Sequence, residues 1–549
     1  MSWLPRLANE LWAFSNLERH RRFVRALDRP GKVQENVLRS ILRRNASCEL
    51  GRRHGFATID SVAAFQSRVP LTSYGDLAAD IERIHSGEEG VRTSARVERL
   101  IPSSGSTSAR KLLPCTRSLL AEFQRAIGPW IVDLLARADL RKGRAYWSIS
   151  PAIEPEHDGR IPIGFADDGE YLGRWTRFLV EHALAVPSGV ERIQEIEAFR
   201  YTVLLHLLRA RDLALVSVWH PSYFTLLLQA LTHHWERLVQ DVRRGSYRPP
   251  AEVPALVSKA MVRGLRPLPR RADELDALGP RAIVELWPEL QLVSCWGDGP
   301  ARGALEELRA LLPGVEIQPK GLVATEAFVS LPFRGAHPLA VRSHFFEFVD
   351  AEGRALLVED LRAGGEYTVV VTTGGGLARY LLGDRVRVTG FVGRTPSLTF
   401  LGKDDGVVDQ CGEKLSDGFV AGRLQGLFTA QGVQVPFAMV APSRLGTKPA
   451  YVLYVESARE LPPRLASDLE ALLEENPHYR WCITLGQLAP LRVFRIRGGA
   501  HAAYCERLRT LGRKLGDVKP VSLSALPDWE QWFHGVWVEG VPAPLRSAR

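Results

Sequence analysis

The chain has 549 residues, 45% of them hydrophobic and 24% charged, with a formal charge of +9. That length exceeds one ordinary core and predicts two or more domains, and the composition is that of a globular protein rather than a disordered or fibrous one. No apolar run approaches the ~18 residues of a membrane helix, and the basic residues are dispersed without the aromatic-interleaved clusters of a nucleic-acid binder, so neither a membrane nor nucleic acid is an expected partner.

The start, MSWLPRLANELWAF, lacks a continuous apolar core, so no signal peptide is expected. The six cysteines are scattered, with no C-x-x-C pair, as in a reduced, cytoplasmic protein. Only ten of the 71 basic residues are lysines. Against that background a lysine marks a place where a compact ammonium is wanted rather than a guanidinium fork. Lys111, Lys320, Lys403, Lys414 and Lys519 fall in or near the segments singled out below.

Residues 1 to about 95 read as helical. Val33, Val37, Ile41 and Leu42 recur close to helical period, and Thr72-Ser73 precede a helix predicted over 74–84. Residues 96–101, a serine-rich run and SLLAEFQRAIGPWIVDLLARADL predict strand, loop and helix, a common anion-cradle geometry. AYWSIS predicts a short strand, LHLLRA a helix, LALVSVW a buried strand, and the apolar stretch after it a long helix. LQLVSCWGDG and VEIQPKGLVATEAFVSLP each predict a strand and glycine turn, with the helix ARGALEELRALL between them. These alternations predict a mainly parallel α/β core.

From residue 340 the character changes. AVRSHFFEFVD, EYTVVVTT, RVRVTGFV and SLTFLG are short β-type runs and predict an antiparallel or mixed subdomain. Beyond residue 402, FAMVAPSR, AYVLYVES and RVFRIRGG predict strands, and RLASDLEALLEEN and YCERLRTLGRKLG predict amphipathic helices. The expected fold is therefore α/β, with a large N-terminal domain over 1–402 that includes the β subdomain. A smaller α+β domain follows over 403–549, joined at the turn-prone KDDG.

Four stretches carry chemistry. In SSGSTSARK, residues 103–111, hydroxyls and backbone N–H groups can ring a phosphate, Gly105 permits close backbone approach, and Lys111 adds a charge. It is not a Walker A loop, and taken alone it reads more readily as a solvated polar loop. Thr325-Glu326 follows a glycine turn, where a carboxylate can bind magnesium or face an attacking group. Asp384 follows Gly383, where a carboxylate can grip the two hydroxyls of a ribose or simply serve a turn. LGKDDGVVDQCGEKLS lies on the predicted domain boundary.

Together, in this order and spacing, these stretches resemble the adenylate-forming enzymes. VPLTSYGDLAADIERIHSGE, LLPCT, LWPEL, HFFEF, EYTVVVTTGGGLARYLLGDRVRVTGF and ENPHYRWCITLGQLAPLRVFRIRGGAH extend the likeness. They resemble one branch, the auxin-responsive Gretchen Hagen family of acyl acid-amido synthetases, in a bacterial-type member. The resemblance implies activation of a carboxylic acid with ATP and Mg2+ to an acyl-adenylate. An amine, usually an amino acid, then attacks while a mobile C-terminal domain alternates between the half-reactions. Acid and amine are the implied small-molecule partners, and the oligomeric state stays open. Alternatives are an acyl-CoA ligase with a thiol acceptor, or a catalytically impaired acid-binding member.

Residue by residue, the resemblance implies that Ser104, Gly105, Ser106 and Thr107, with Lys111, form the phosphate loop. Thr325 and Glu326 match the adenylate and magnesium motif, and Asp384 the ribose aspartate. Lys403 falls where relatives place a nucleotide-contacting arginine, and Lys519 falls near a C-terminal lysine. Glu326, Lys403 and Lys519 are thus the implied catalytic set. Trp219, His220 and Trp147 are the implied acyl-pocket residues. Three departures stand out: a loop one residue short with Ala109 for a glycine, Leu322 for a tyrosine, and Leu381 for an arginine.

Overall fold

The computed structural model describes all residues except 1–2, 103–110, 148–159, 165–181, 194, 220, 299–301, 404–406, 409, 411–412, 414, 444–448, 485–487, 512–519 and 539–549. The chain divides into two compact units. The first comprises Met1–Ser103, Arg110–Leu382 and Val386–Phe400, and the second Ser104–Ala109, Gly383–Arg385 and Leu401–Arg549.

Two short strands flank the serine-rich run. Strand β1 (Arg99–Pro102) pairs antiparallel with β2 (Leu112–Cys115), Pro102 lying opposite Leu112. The sequence predicts strand, loop and helix here, so β2 is a correction. LLPC extends because its residues pair with β1 and bury Leu113 and Cys115. The helix Arg117–Ala136 begins only afterwards, its first turn capped by Thr116 Oγ1, which accepts the Leu119 N–H at 3.2 Å. The serine-rich run therefore connects two antiparallel strands and does not open directly onto a helix N-terminus.

Strands β3 (Arg144–Trp147), β4 (Leu213–Ser217), β5 (Leu292–Cys295) and β6 (Glu316–Pro319) form the parallel sheet that the alternation predicts, in the order β3-β4-β5-β6. β4 and β5 are buried along their whole length. That is why LALVS and LVSC are mostly apolar without a two-residue alternation: strands covered on both faces do not alternate. Leu204 and Leu208 of the helix Ile196–Arg209, and Leu227 and Leu231 of Pro221–Arg244, share one core with Val216 and Val293.

The β subdomain is a five-stranded sheet of β7 (Phe345–Val349), β8 (Ala355–Leu356), β9 (Glu366–Thr372), β10 (Tyr380–Val392) and β11 (Thr395–Lys403). Its order is β11-β10-β9-β7-β8, with β7 antiparallel to both β8 and β9.

In the second unit β12 (Val407–Val408) pairs with β13 (Leu415–Ser416). β14 (Phe437–Ser443), β15 (Ala450–Glu456), β16 (Arg492–Ile496) and β17 (Gly535–Val538) form a four-stranded sheet. β15 shows the two-residue period of a strand with two covered faces. Tyr451, Leu453 and Val455 pack with Leu424, Leu469 and Leu473 of the helices Asp417–Ala430 and Leu465–Leu473. Val452 and Tyr454 pack with Tyr504 and Leu508 of Ala500–Thr510 on the opposite face.

Candidate active site

Thr325 and Glu326 sit at the tip of a tight bend just after β6. The bend is closed by the Val323–Phe328 bridge and by the Ala324 N–H donating to the Ala327 carbonyl at 2.9 Å. Gly321 turns the chain into it with φ +75°, and a Cβ there would lie 2.8 Å from the Ser330 carbonyl oxygen. Only glycine fits that approach. Glu326 is 7% exposed, so its carboxylate is held inside the protein rather than on a solvated surface.

A buried hydrogen-bond chain fixes this bend, and sequence reading missed it. His344 Nε2 accepts the Phe328 N–H at 3.2 Å, and Ser343 Oγ donates to the Phe328 carbonyl at 3.0 Å. A backbone N–H can only donate, so the His344 proton lies on Nδ1, which donates to Glu122 Oε2 at 3.0 Å. Glu122 also accepts the Gly374 N–H at 2.9 Å and an Arg44 guanidinium N–H at 3.1 Å. A Cβ at position 374 would lie 2.5 Å from Glu122 Oε1, which explains a glycine there. His344→Ala strips one partner from a fully buried carboxylate and frees Phe328. A loss of about 1–3 kcal/mol in urea unfolding is the expected result, together with lowered turnover. Unchanged unfolding and turnover would remove His344 from the positioning role.

Asp384 lies within β10, one residue after Gly383 at φ +76°, and is 2% exposed. At the entry to this strand Arg379 adopts φ +45°, a conformation unfavourable for a side-chain-bearing residue. Several bonds over-determine it. Nε and Nη2 fork onto Glu347 at 2.9–3.2 Å, and Nη1 donates to the carbonyls of Gln66 and Val69 at 2.9 and 2.8 Å. Thr72 pairs with the same entry, donating its N–H to the Arg379 carbonyl and accepting the Leu381 N–H. Leu381 thus uses its backbone, not its side chain, to hold the segment.

The remaining implied site residues divide by placement. Lys111 immediately precedes β2 and is half-buried, and Lys403 is the last residue of β11. Ser104, Gly105, Ser106, Thr107, His220 and Lys519 lie outside the described residues. Two of the residues that the resemblance implies for the acyl pocket, Trp147 and Trp219, come together around Lys320, one of the rare lysines. Lys320 follows β6, and its Nζ lies 5.3, 5.8 and 5.2 Å from the ring centroids of Trp130, Trp147 and Trp219. Nζ donates to Ser217 Oγ at 2.6 Å, and the backbone N–H donates to the Cys295 carbonyl at 3.0 Å. Trp147, Ser217 and Cys295 end β3, β4 and β5. The cluster therefore occupies the C-terminal edge of the parallel sheet, where open α/β folds bind ligands. Burial holds the Lys320 ammonium down to about 7 and pushes the Cys295 thiol up to about 12.

The sequence matches the GH3 family N-terminal domain over residues 19–317, the GH3 family central domain over 337–403 and the GH3 family C-terminal domain over 423–526. The chain belongs to the GH3 family. The family resemblance read from the sequence is thereby borne out. Its GH3 relatives include the probable indole-3-acetic acid-amido synthetase GH3.1 of Oryza sativa subsp. japonica. That protein is 28% identical over 407 residues, 68% of this chain and 66% of the relative, just under two thirds of its length. The indole-3-acetic acid-amido synthetase GH3.5 of Arabidopsis thaliana is 24% identical over 419 residues, 67% of each chain. The solved GH3.15 acyl acid amido synthetase shares the fold with a TM-score of 0.81 at 20% identity, covering 94% of this chain and 96% of that one. A 2-hydroxyisobutyryl-CoA ligase in complex with 2-HIB-AMP aligns with a TM-score of 0.50 at 13% identity, over 92% of this chain and 91% of that one. The α/β architecture with its smaller C-terminal domain is thus the GH3 and adenylate-forming fold.

Proposed function

We propose that this GH3 protein is an AMP-forming acid–amine ligase that activates a carboxylic acid with ATP as its acyl-adenylate. An amine, an amino acid in this reading, then displaces AMP to give the amide. The supporting observation is the match to all three GH3 domains in order along the chain. A carboxylate is a poor electrophile, and exchanging one of its oxygens for AMP supplies a good leaving group. The protein's part is positioning and charge stabilisation.

Among the described residues no group of three or more His, Cys, Asp or Glu converges into a protein-only cation site. One buried carboxylate, Glu326, fits the usual magnesium arrangement of one or two carboxylates completed by substrate phosphates. Magnesium bound there supplies neutralisation of phosphate charge. In this reading Thr325 and Glu326 face the adenylate, Asp384 accepts hydrogen bonds from the ribose hydroxyls, and Lys111 with residues 104–107 meets the phosphates. Lys403 and Lys519 act from the C-terminal side of the nucleotide, with 1–402 and 403–549 as the functional division. Leu322 is buried in the core, an aliphatic residue at the position where the family resemblance implies a tyrosine. No helix among the described residues is long and apolar enough to cross a membrane.

Pyrophosphate release over a panel of acids, repeated with amino acids and with coenzyme A, tests this reading. The expected result is acid-dependent release stimulated by an amine, with amide and AMP as products. Release stimulated by coenzyme A and by no amine would replace the amide ligase with an acyl-CoA ligase. Ligand binding without any ATP turnover would favour the acid-binding reading.

A further inference from the structure

We propose that Lys320 selects the acid: its ammonium, ringed by Trp130, Trp147 and Trp219 at the edge of the parallel sheet, takes an anionic oxygen of a flat acid as its counter-ion. The inference rests on the ligase reading for the identity of the ligand as substrate, but not for the binding itself.

Four observations carry it. First, Lys320 is 7% exposed, and among the described residues the one hydrogen-bond acceptor for Nζ is the neutral Ser217 hydroxyl. Among the described residues no carboxylate pairs with it, and the one titratable group that acts on it is Cys295, a thiol that burial keeps neutral. An ammonium buried without a counter-ion opposes folding, and contacts with indole faces offset only part of that. Second, the Trp147 indole Nε1 is buried with no hydrogen-bond partner among the described residues, so a second donor beside Lys320 lacks an acceptor there. One anionic group would satisfy both. Third, the cluster stands at the C-terminal ends of β3, β4 and β5, the ligand-binding edge of such a sheet. Fourth, the surroundings of Nζ are aromatic: the Trp130, Trp147 and Trp219 rings all lie 5.2–5.8 Å from it, and Trp130 packs on Trp147 at 5.5 Å, centroid to centroid. Flat rings are the complement of indole faces.

The anionic oxygen belongs either to the reacting carboxylate or to a second acidic substituent, and the two sources are separable. Calorimetric titration without ATP, using benzoate, 2-naphthoate, isophthalate and their primary amides, reads binding directly. Wild type is expected to bind at least one of these acids about 10- to 100-fold tighter than its amide, the worth of a charge-assisted hydrogen bond. Lys320→Met is expected to erase that ratio. A preference for isophthalate over both monoacids assigns Lys320 to a second substituent; equal or better monoacid binding assigns it to the reacting carboxylate.

A pH series adds a sign. Burial holds Lys320 at about 7, and the one titratable group among the described residues that acts on it, Cys295, is pushed up to about 12 and stays a neutral thiol. Acid affinity in the wild type should therefore fall roughly tenfold per pH unit above 7 and stay flat in Lys320→Met. Stability separates this role from a structural one. Removing an uncompensated buried charge should raise the ligand-free Tm, and the gain should shrink as pH rises from 7 towards 10, where the native lysine is already neutral. Lys320→Gln repeats the binding test should the methionine variant fold poorly. Equal affinity for acids and amides, an unchanged ratio in both variants, or no binding of any acid would overturn the assignment. Amine-stimulated pyrophosphate release with Lys320-independent acid binding would sink this inference and leave the ligase standing. Lys320-dependent acid binding without turnover would do the reverse.

Discussion

Glu326→Ala is expected to lower acid-dependent pyrophosphate release by about 10²–10³-fold, the range seen when one preorganised charge-stabilising group is removed. The size of the effect follows from burial. Glu326 is 7% exposed at the tip of a bend that Gly321, Ser330 and the His344–Glu122 pair hold in place. A carboxylate fixed in this way has its orientation set before substrate arrives, and no neighbouring acid among the described residues forms a cluster that could replace it. Glu326→Gln keeps the volume and removes the charge, so it should lose nearly as much. Higher magnesium concentration should restore little of either loss. Thermal unfolding of both variants separates lost chemistry from a lost fold. Near-normal pyrophosphate release in a folded Glu326→Ala protein would contradict the assigned role.

Asp384→Ala should raise the KM for ATP by about 10²-fold, as expected for the loss of hydrogen bonds to a charged acceptor. Asp384 is 2% exposed and follows Gly383 at φ +76°, a left-handed turn of the backbone that a larger residue adopts only under strain. A plain structural aspartate would alter stability without altering nucleotide selectivity. The discriminating measurement is therefore made with 2′-deoxy-ATP and 3′-deoxy-ATP. Wild type should reject at least one of them, and Asp384→Ala should treat them much like ATP. Retained discrimination in the variant would place the ribose contact elsewhere.

The fold was legible where one force dominates. LALVS read as a buried strand and LVSC as a strand, and both are covered on the two faces of a parallel sheet; Tyr451 to Val455 alternate because β15 has two separately packed faces. β2 was not legible. LLPC is four residues long, contains a proline, and becomes a strand only through its pairing with β1. The motif carboxylates Glu326 and Asp384 stood out by their glycine neighbours and chain order. Glu122 and His344 did not: they are 222 residues apart in sequence, and a lone glutamate on a long helix looks like a solvated one. Arg379 gave no sign either, because positive φ at a non-glycine residue is imposed by tertiary contacts such as those to Glu347. Lys320 gave a weak sign, as one of ten lysines among 71 basic residues. That no carboxylate among the described residues pairs with it needed three dimensions.

The acyl-adenylate itself is tested most directly by following oxygen. An acid that supports turnover is labelled with 18O in its carboxylate and converted to amide with an excess of amine, and the products are analysed by mass spectrometry. Attack of the carboxylate on the α-phosphorus places one labelled oxygen in AMP and none in pyrophosphate, and this is the expected result. Unlabelled AMP, or label in inorganic phosphate accompanied by ADP, would contradict adenylation and point to a different activated acid.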